Sequence, residues 1–295
     1  MPDRPVFRFA PSPNGELHLG HALSALIGFE RARAMGGRFL LRIEDIDAGR
    51  SRSQFVAGIF EDLRWLGLTW VEPVVRQSQR MAAYAAAAGR LKAMGLLYPC
   101  FASRAEILAA APTALDPDGA PLYPGLYRTS RDAEVARRQA NGEPFALRLD
   151  MAKALATAKA KLGGRCLMFR EGDDQGGAQT IAAHPERWGD AVIVRKDVAT
   201  SYHLAVVVDD AWQGVTHVTR GRDLFTATDL QRLLQLLLDL PEPAYQHHRL
   251  LLDADGRKLA KSAGATSLRD LRRRGLTAAD VRRLVGVGTS PPPAP

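Results

Sequence analysis

Arg8-Phe9-Ala10-Pro11-Ser12-Pro13-Asn14-Gly15-Glu16-Leu17-His18-Leu19-Gly20-His21 is the stretch whose reading decides the fold. An apolar lead-in, Pro5 to Ala10, runs into a Pro/Gly-rich turn, and two histidines three residues apart open an apolar helix over 22–33. A strand, a tight turn and a helix N-terminus are what a nucleotide phosphate needs. Backbone N–H groups and the positive end of the helix dipole point at the anion, and glycines let the chain come close.

Working outward, Gly36-Gly37 precedes the β-type run Arg38 to Ile43, which ends in the acidic cluster Glu44-Asp45-Ile46-Asp47. A strand ending in polar residues is the site geometry of an open α/β sheet. Phe55, Ile59, Leu63 and Leu66 recur at helical spacing within 50–66, with Gly67 as C-cap. The alanine-rich stretch 80–94 is a further helix, its apolar face supplied by Met81, Tyr84, Leu91 and Met94. Residues 1–97 therefore read as repeating strand and helix units, an α/β pattern.

Turn signals multiply between 98 and 190, at Asp116-Pro117-Asp118-Gly119, Asn141-Gly142 and Glu171 to Gly177, which marks an insertion or second domain. Cys166 sits there in an apolar, strand-like run and reads as core. The α/β texture returns afterwards. Runs 191–195, 203–210 and 215–220 read as strands, and 228–240 as a helix. Residues 267–286 read as arginine-rich helix, ahead of a Pro-rich tail from Ser290 for which disorder is expected. Its arginines suit RNA phosphates and a solvated helix face equally, so no site is assigned to them.

The chain has 295 residues, a net charge of +8 and a pI near 9.8, which suits a polyanionic partner without requiring one. Two cysteines give no disulfide framework, no run of about 18 apolar residues is present, and no signal-peptide pattern opens the chain, so a cytoplasmic location is expected.

His18-Leu19-Gly20-His21 and Lys258-Leu259-Ala260-Lys261-Ser262 together resemble the two signature motifs of class I aminoacyl-tRNA synthetases. Histidines at a helix mouth can hold ATP, and a lysine segment can neutralise a departing pyrophosphate. Arg8 to Pro13, Leu41 to Asp47, Tyr202 to Ala205 and Val218 to Leu224 narrow the likeness to the glutamyl branch. Only 34 residues follow Lys261, so the chain resembles the truncated glutamyl-queuosine tRNA(Asp) synthetase family, which lacks a long anticodon-binding region.

That resemblance implies a Rossmann-like catalytic domain in two halves, 1–97 and 191–262. Between them lies an RNA-binding α+β insertion over 98–190, and a short segment, 263–295, follows. It implies ATP with Mg²⁺, formation of glutamyl-adenylate from L-glutamate, and transfer of glutamate to queuosine in the anticodon stem-loop of tRNA(Asp). A monomer is expected. The alternatives are a minimal synthetase charging the 3′ end of tRNA(Glu) and a non-catalytic RNA-binding relic.

The same resemblance assigns glutamate to Arg8, Phe9, Ala10, Pro11, Ser12, Glu44, Tyr202 and Arg220. Arginine's planar fork suits a carboxylate, so Arg8 reads the side chain of glutamate and Arg220 takes a carboxylate, while Glu44 meets the ammonium group. Asp45 and Asp47 read equally well as structural caps. His18, His21, Lys258 and Lys261 are the expected catalytic set, with Gly20 beside His18, His21 and Lys261 at ATP. Members of the family often bind zinc through a Cys-x-Cys and a later Tyr-x-x-x-Cys. Here those positions are Cys100, Ala102, Tyr123 and Tyr127, so zinc is expected to be absent, with Ala102 and Tyr127 packing the knuckle.

Overall fold

The computed structural model describes residues 4–110, 114–129, 132–173, 177–252 and 266–288. In chain order the elements are β1 (Val6–Phe9), α1 (Leu19–Ala34), β2 (Arg38–Ile43), α2 (Ser53–Trp65), β3 (Val71–Arg76) and α3 (Met81–Ala93). Then come β4 (Leu97–Cys100), α4 (Arg104–Ala110), α5 (Asp132–Ala140), β5 (Ala146–Leu149), α6 (Met151–Lys161), β6 (Met168–Gly172), β7 (Ala178–Ala182) and β8 (Val192–Val194). The rest are α7 (Tyr202–Trp212), β9 (His217–Gly221), α8 (Ala227–Leu237), β10 (Ala244–His248), α9 (Leu268–Arg273) and α10 (Ala278–Val285).

Seven strands form one sheet in the order β3-β2-β1-β9-β10-β6-β7, all neighbours parallel except β6 and β7. Successive strands run outward from β1 on one side, and the chain returns on the other through β9. The gap between the C-terminal ends of β1 and β9 is thus the switch point where open α/β sheets bind ligands.

Strand periodicity decides which residues face which layer. Phe7 and Phe9 of β1, with Phe39, Leu41 and Ile43 of β2, join one core with α1, α2, α9 and α10. Val6, Leu40, Val218 and Tyr245 belong to a core on the other face. Arg8 and Arg42 share the parity of Val6 and Leu40, which turns them toward the end of α7. Behind α1, Leu268, Leu271, Val281 and Val285 are buried in the first core. Each such side chain contributes about 1.5–3 kcal/mol, so 266–288 is firmly docked.

Two sequence expectations fail here. The run 203–210 is not a strand but most of α7, and Tyr202 is that helix's first residue rather than a strand end. Ser201 caps it, its side chain accepting from the Leu204 backbone N–H. A short apolar run buried on most sides has no visible period, so strand and helix look alike in sequence. Cys166 is exposed rather than core. It follows the turn after α6, and the strand behind the expectation begins only at Met168.

The chain also reaches the seven-stranded sheet at β6, well before residue 190. Between α3 and that point, β4 and β5 form a separate antiparallel sheet with β8, whose residues were expected to rejoin the main sheet. The Pro-rich tail lies outside the described residues.

Candidate active site

A cleft of about 880 Å³ opens at the switch point. It is lined by Arg8, Phe9, Ala10, Pro11, Ser12, His18, Gly20, His21, Glu44, Tyr202 and Arg220, so every described residue expected from the sequence at the amino acid or at ATP meets in one place. Lys258 and Lys261 lie outside the described residues. The chain on either side of them does not. Leu250 and Leu251 line the cleft, Ser267 bridges to His18, and the Leu268 N–H donates to the Leu17 carbonyl at 2.8 Å.

His18 is the N-cap of α1. Its Nδ1 accepts from the Gly20 N–H at 3.1 Å, and His21 Nδ1 accepts from the His18 N–H at 3.1 Å. An accepting Nδ1 leaves the proton of a neutral imidazole on Nε2. Both rings, with centroids 3.9 Å apart, are therefore set as Nε2–H donors at the positive end of the helix. Gly20 leaves room for this fold-back: a Cβ there would lie 2.9 Å from His18 Cε1 and push the ring aside.

Arg8 is buried and gives its fork to Asp210, with Nε to Oδ1 and Nη2 to Oδ2 both at 3.2 Å. Arg42, wholly buried, donates to Asp210 at 2.7 Å, to Gln213 at 2.8 Å and to Glu44 at 3.3 Å. Two arginines and two carboxylates thus form one desolvated unit. Burial pushes the Asp210 carboxyl up, but Arg8 and Arg42 more than offset this and hold it below the usual range. Burial dominates at Glu44 and raises its pKa despite Arg42 and Arg8. A cationic group arriving beside Glu44 favours its charged form.

Asp209 forms a second buried knot. It accepts from Arg80 at 2.6 Å, Tyr84 at 2.7 Å and Gln77 at 3.0 Å, tying α7 to α3. Asp45 accepts from the Ser78 backbone and hydroxyl, both at 2.9 Å, and Asp47 pairs with Arg50. Across the cleft, Arg220 donates to Gln231 and Thr228 at 2.8 Å and sits 3.5 Å from the Tyr202 hydroxyl.

Sequence reasoning missed Arg42, Asp209 and Asp210. A charge between buried neighbours, as in Leu41-Arg42-Ile43, and an acidic pair closing an apolar run were the available signals.

The knuckle residues do not fit a zinc ion. The Cys100 thiol is 3.3 Å from the Tyr123 hydroxyl, which also accepts from the Tyr127 N–H at 2.9 Å. Ala102 is buried beside them, and Arg138 donates to the Tyr127 hydroxyl at 2.6 Å while lying 4.4 Å over the Phe101 ring. One thiol and a phenol that burial pushes up in pKa are a poor tetrahedral donor set. Among the described residues no three His, Cys, Asp or Glu side chains are grouped to hold a metal, and no helix is long and apolar enough to cross a membrane.

The chain is 46% identical over 290 residues to a Rhodobacter capsulatus protein named glutamyl-Q tRNA(Asp) synthetase, covering 96% of this chain and 100% of that one. A protein of the same name from Nocardia farcinica is 44% identical over 288 residues, covering 98% and 86%. A crystal structure of a glutamate tRNA ligase from Elizabethkingia meningosepticum, in complex with its amino acid, superposes with a TM-score of 0.68 at 26% identity. It covers 93% of this chain, which spans about half of that structure's length (54%). Residues 6–286 match the catalytic domain of the tRNA synthetases class I (E and Q). With its parallel sheet, its capping histidines and its switch-point cleft, the chain belongs to that class I synthetase family.

Proposed function

We propose that the protein activates L-glutamate with ATP and transfers it to queuosine in the anticodon stem-loop of tRNA(Asp). The observation that carries the first step is the charge pattern of the cleft. Arg8 and Arg220 face a space shared with Glu44, the complement of a molecule with two carboxylates and one ammonium group. The acceptor rests on the names of the full-length relatives.

In this reading Arg8 takes the side-chain carboxylate, Glu44 the ammonium group, and Tyr202 with Arg220 completes the amino-acid pocket. Backbone around Phe9, Ala10, Pro11 and Ser12 forms its floor. An oxygen of the glutamate α-carboxylate attacks the α-phosphorus of ATP and pyrophosphate leaves. His18 and His21 donate from Nε2 to the phosphates, and the α1 N-terminus beside Gly20 adds its dipole. Lys258 and Lys261 neutralise the departing pyrophosphate. Class I synthetases use ATP with Mg²⁺; here the ion would be held chiefly by the phosphates themselves, whose charge it neutralises. A queuosine hydroxyl then attacks the acyl carbon, AMP departs, and the hydroxyl proton is lost to solvent. The part of 98–190 that lies outside the seven-stranded sheet would cradle the stem-loop.

Glutamate-dependent ATP–pyrophosphate exchange tests the first step, and its absence would refute activation. Labelled glutamate should appear on queuosine-containing tRNA(Asp) and not on queuosine-free tRNA(Asp) or tRNA(Glu). Label lost on removing the 3′-terminal adenosine would instead mean ordinary charging.

A further inference from the structure

Arg220 has a support that the roles above do not use. Its Nε donates to His247 Nε2 at 3.0 Å. His247 Nδ1 lies 2.9 Å from Glu171 Oε2, and the His247 backbone N–H donates to Glu171 Oε1 at 2.8 Å. All three side chains are buried, on the adjacent strands β9, β10 and β6.

The polarity of this chain is forced. A guanidinium only donates, so His247 Nε2 accepts; an ionised carboxylate only accepts, so the imidazole proton sits on Nδ1. Glu171 therefore selects the one neutral tautomer that can receive Arg220. Burial pushes the His247 imidazole down in pKa, in keeping with a neutral ring.

We propose that Glu171 and His247 are positioning residues that hold Arg220 in register for the substrate carboxylate, so that glutamate affinity depends on the tautomer of His247. This rests on the glutamate-activation reading above. It also gives β6 a function: the strand brings the carboxylate that orients a histidine, which orients an arginine.

The test is ATP–pyrophosphate exchange with separate KM values for glutamate and ATP, on wild type, Glu171→Gln, His247→Gln and the double variant. An amide at 171 no longer fixes the tautomer, and Glu171→Gln should raise the glutamate KM about tenfold, the loss of one charge-assisted hydrogen bond, with the ATP KM unchanged. Glutamine at 247 can place a carbonyl oxygen where Nε2 stood, so His247→Gln should raise it only about threefold, a partial retention of that bond. In the double variant the amide at 171 should add little further, because no tautomer remains to be set.

If Glu171→Gln does not fold, His247→Leu replaces it: the glutamate KM should exceed that of His247→Gln severalfold. Glutamate and ATP KM values that move together, Leu and Gln variants that match, or an additive double variant would each overturn the proposal. A wild type without glutamate-dependent exchange would refute the activation reading itself.

Discussion

Arg8→Lys would separate the pairing with Asp210 from the substrate contact that the proposed reading gives the same side chain. The guanidinium gives Asp210 two parallel bonds of 3.2 Å while lining the cleft. Lysine keeps the positive charge beside Asp210, so the buried carboxylate stays paired. The fold should lose about one charge-assisted hydrogen bond, roughly 1.5–3 kcal/mol, or several degrees in Tm. An ammonium is a point donor and cannot serve Asp210 and a substrate carboxylate in two directions as the fork does. The glutamate complex should therefore lose one charge-assisted bond, about 1.5–3 kcal/mol, which is roughly a 10- to 140-fold rise in glutamate KM. The ATP KM should not move, because the histidines are untouched. Exchange kinetics with varied glutamate, alongside a thermal melt, read both effects. A folded variant whose glutamate KM stays within about twofold of wild type would mean that Arg8 serves Asp210 alone.

Asp210→Asn leaves Arg8 and Arg42 short of a carboxylate and should cost about 3–5 kcal/mol at pH 7. Asp210 is held below its ordinary pKa, so its contribution is present above about pH 4 and lost as pH falls through the depressed value; urea titrations across pH should show the variant and wild type converging in acid. Asp62 behaves oppositely. Burial raises it to about 6 despite Arg272 at 3.6 Å, so the stability linked to its proton is full below about pH 4 and lost as pH rises through 6. Asp62→Asn should then stabilise by up to about 3 kcal/mol at pH 7.5, with no gain at pH 4. Purified protein should contain far less than stoichiometric zinc by elemental analysis, and a chelator should leave the melt unchanged; Ala102→Cys with Tyr127→Cys should create zinc binding beside Cys100 and Tyr123. Lys261→Ala should lower exchange turnover on the order of 100-fold while leaving glutamate affinity near wild type.

The residues that line the cleft were legible because they lie in short contiguous blocks with their own turn or strand signals. Arg8 to Ser12, the His18 to His21 block with His18, Gly20 and His21, and Glu44 at the end of Leu41 to Glu44 are of this kind, and these residues line the same cleft. The supporting residues were not legible, since their meaning depends on a contact across the chain. Asp210 looks like the end of a strand until α7 is seen to bring it under Arg8, 202 residues away in sequence. Cys166 failed for the converse reason: an apolar neighbourhood in sequence does not fix which side of the chain is covered. The boundary of the insertion blurred likewise, because β6 joins β10 only through pairing with a strand still far ahead in the chain.

The buried charges give the proposed reading a way for an open cleft to be selective. Arg8 and Arg220 both line the cleft, and two unrestrained arginines there would repel each other and bind any phosphate. Each is instead tied to a neutralising partner on its far side, Arg8 to Asp210 and Arg220, through His247, to Glu171. The cost is desolvation of several charges, which geometry this well matched can repay. What results is a pair of donors fixed in direction and moderated in charge. Such a pair rewards a ligand whose carboxylates match their spacing more than one that is merely anionic, and in the proposed reading an ammonium at Glu44 would supply the third point. On the proposed reading, selectivity for an amino acid with two carboxylates would then come from residues behind the contact surface as much as from those on it.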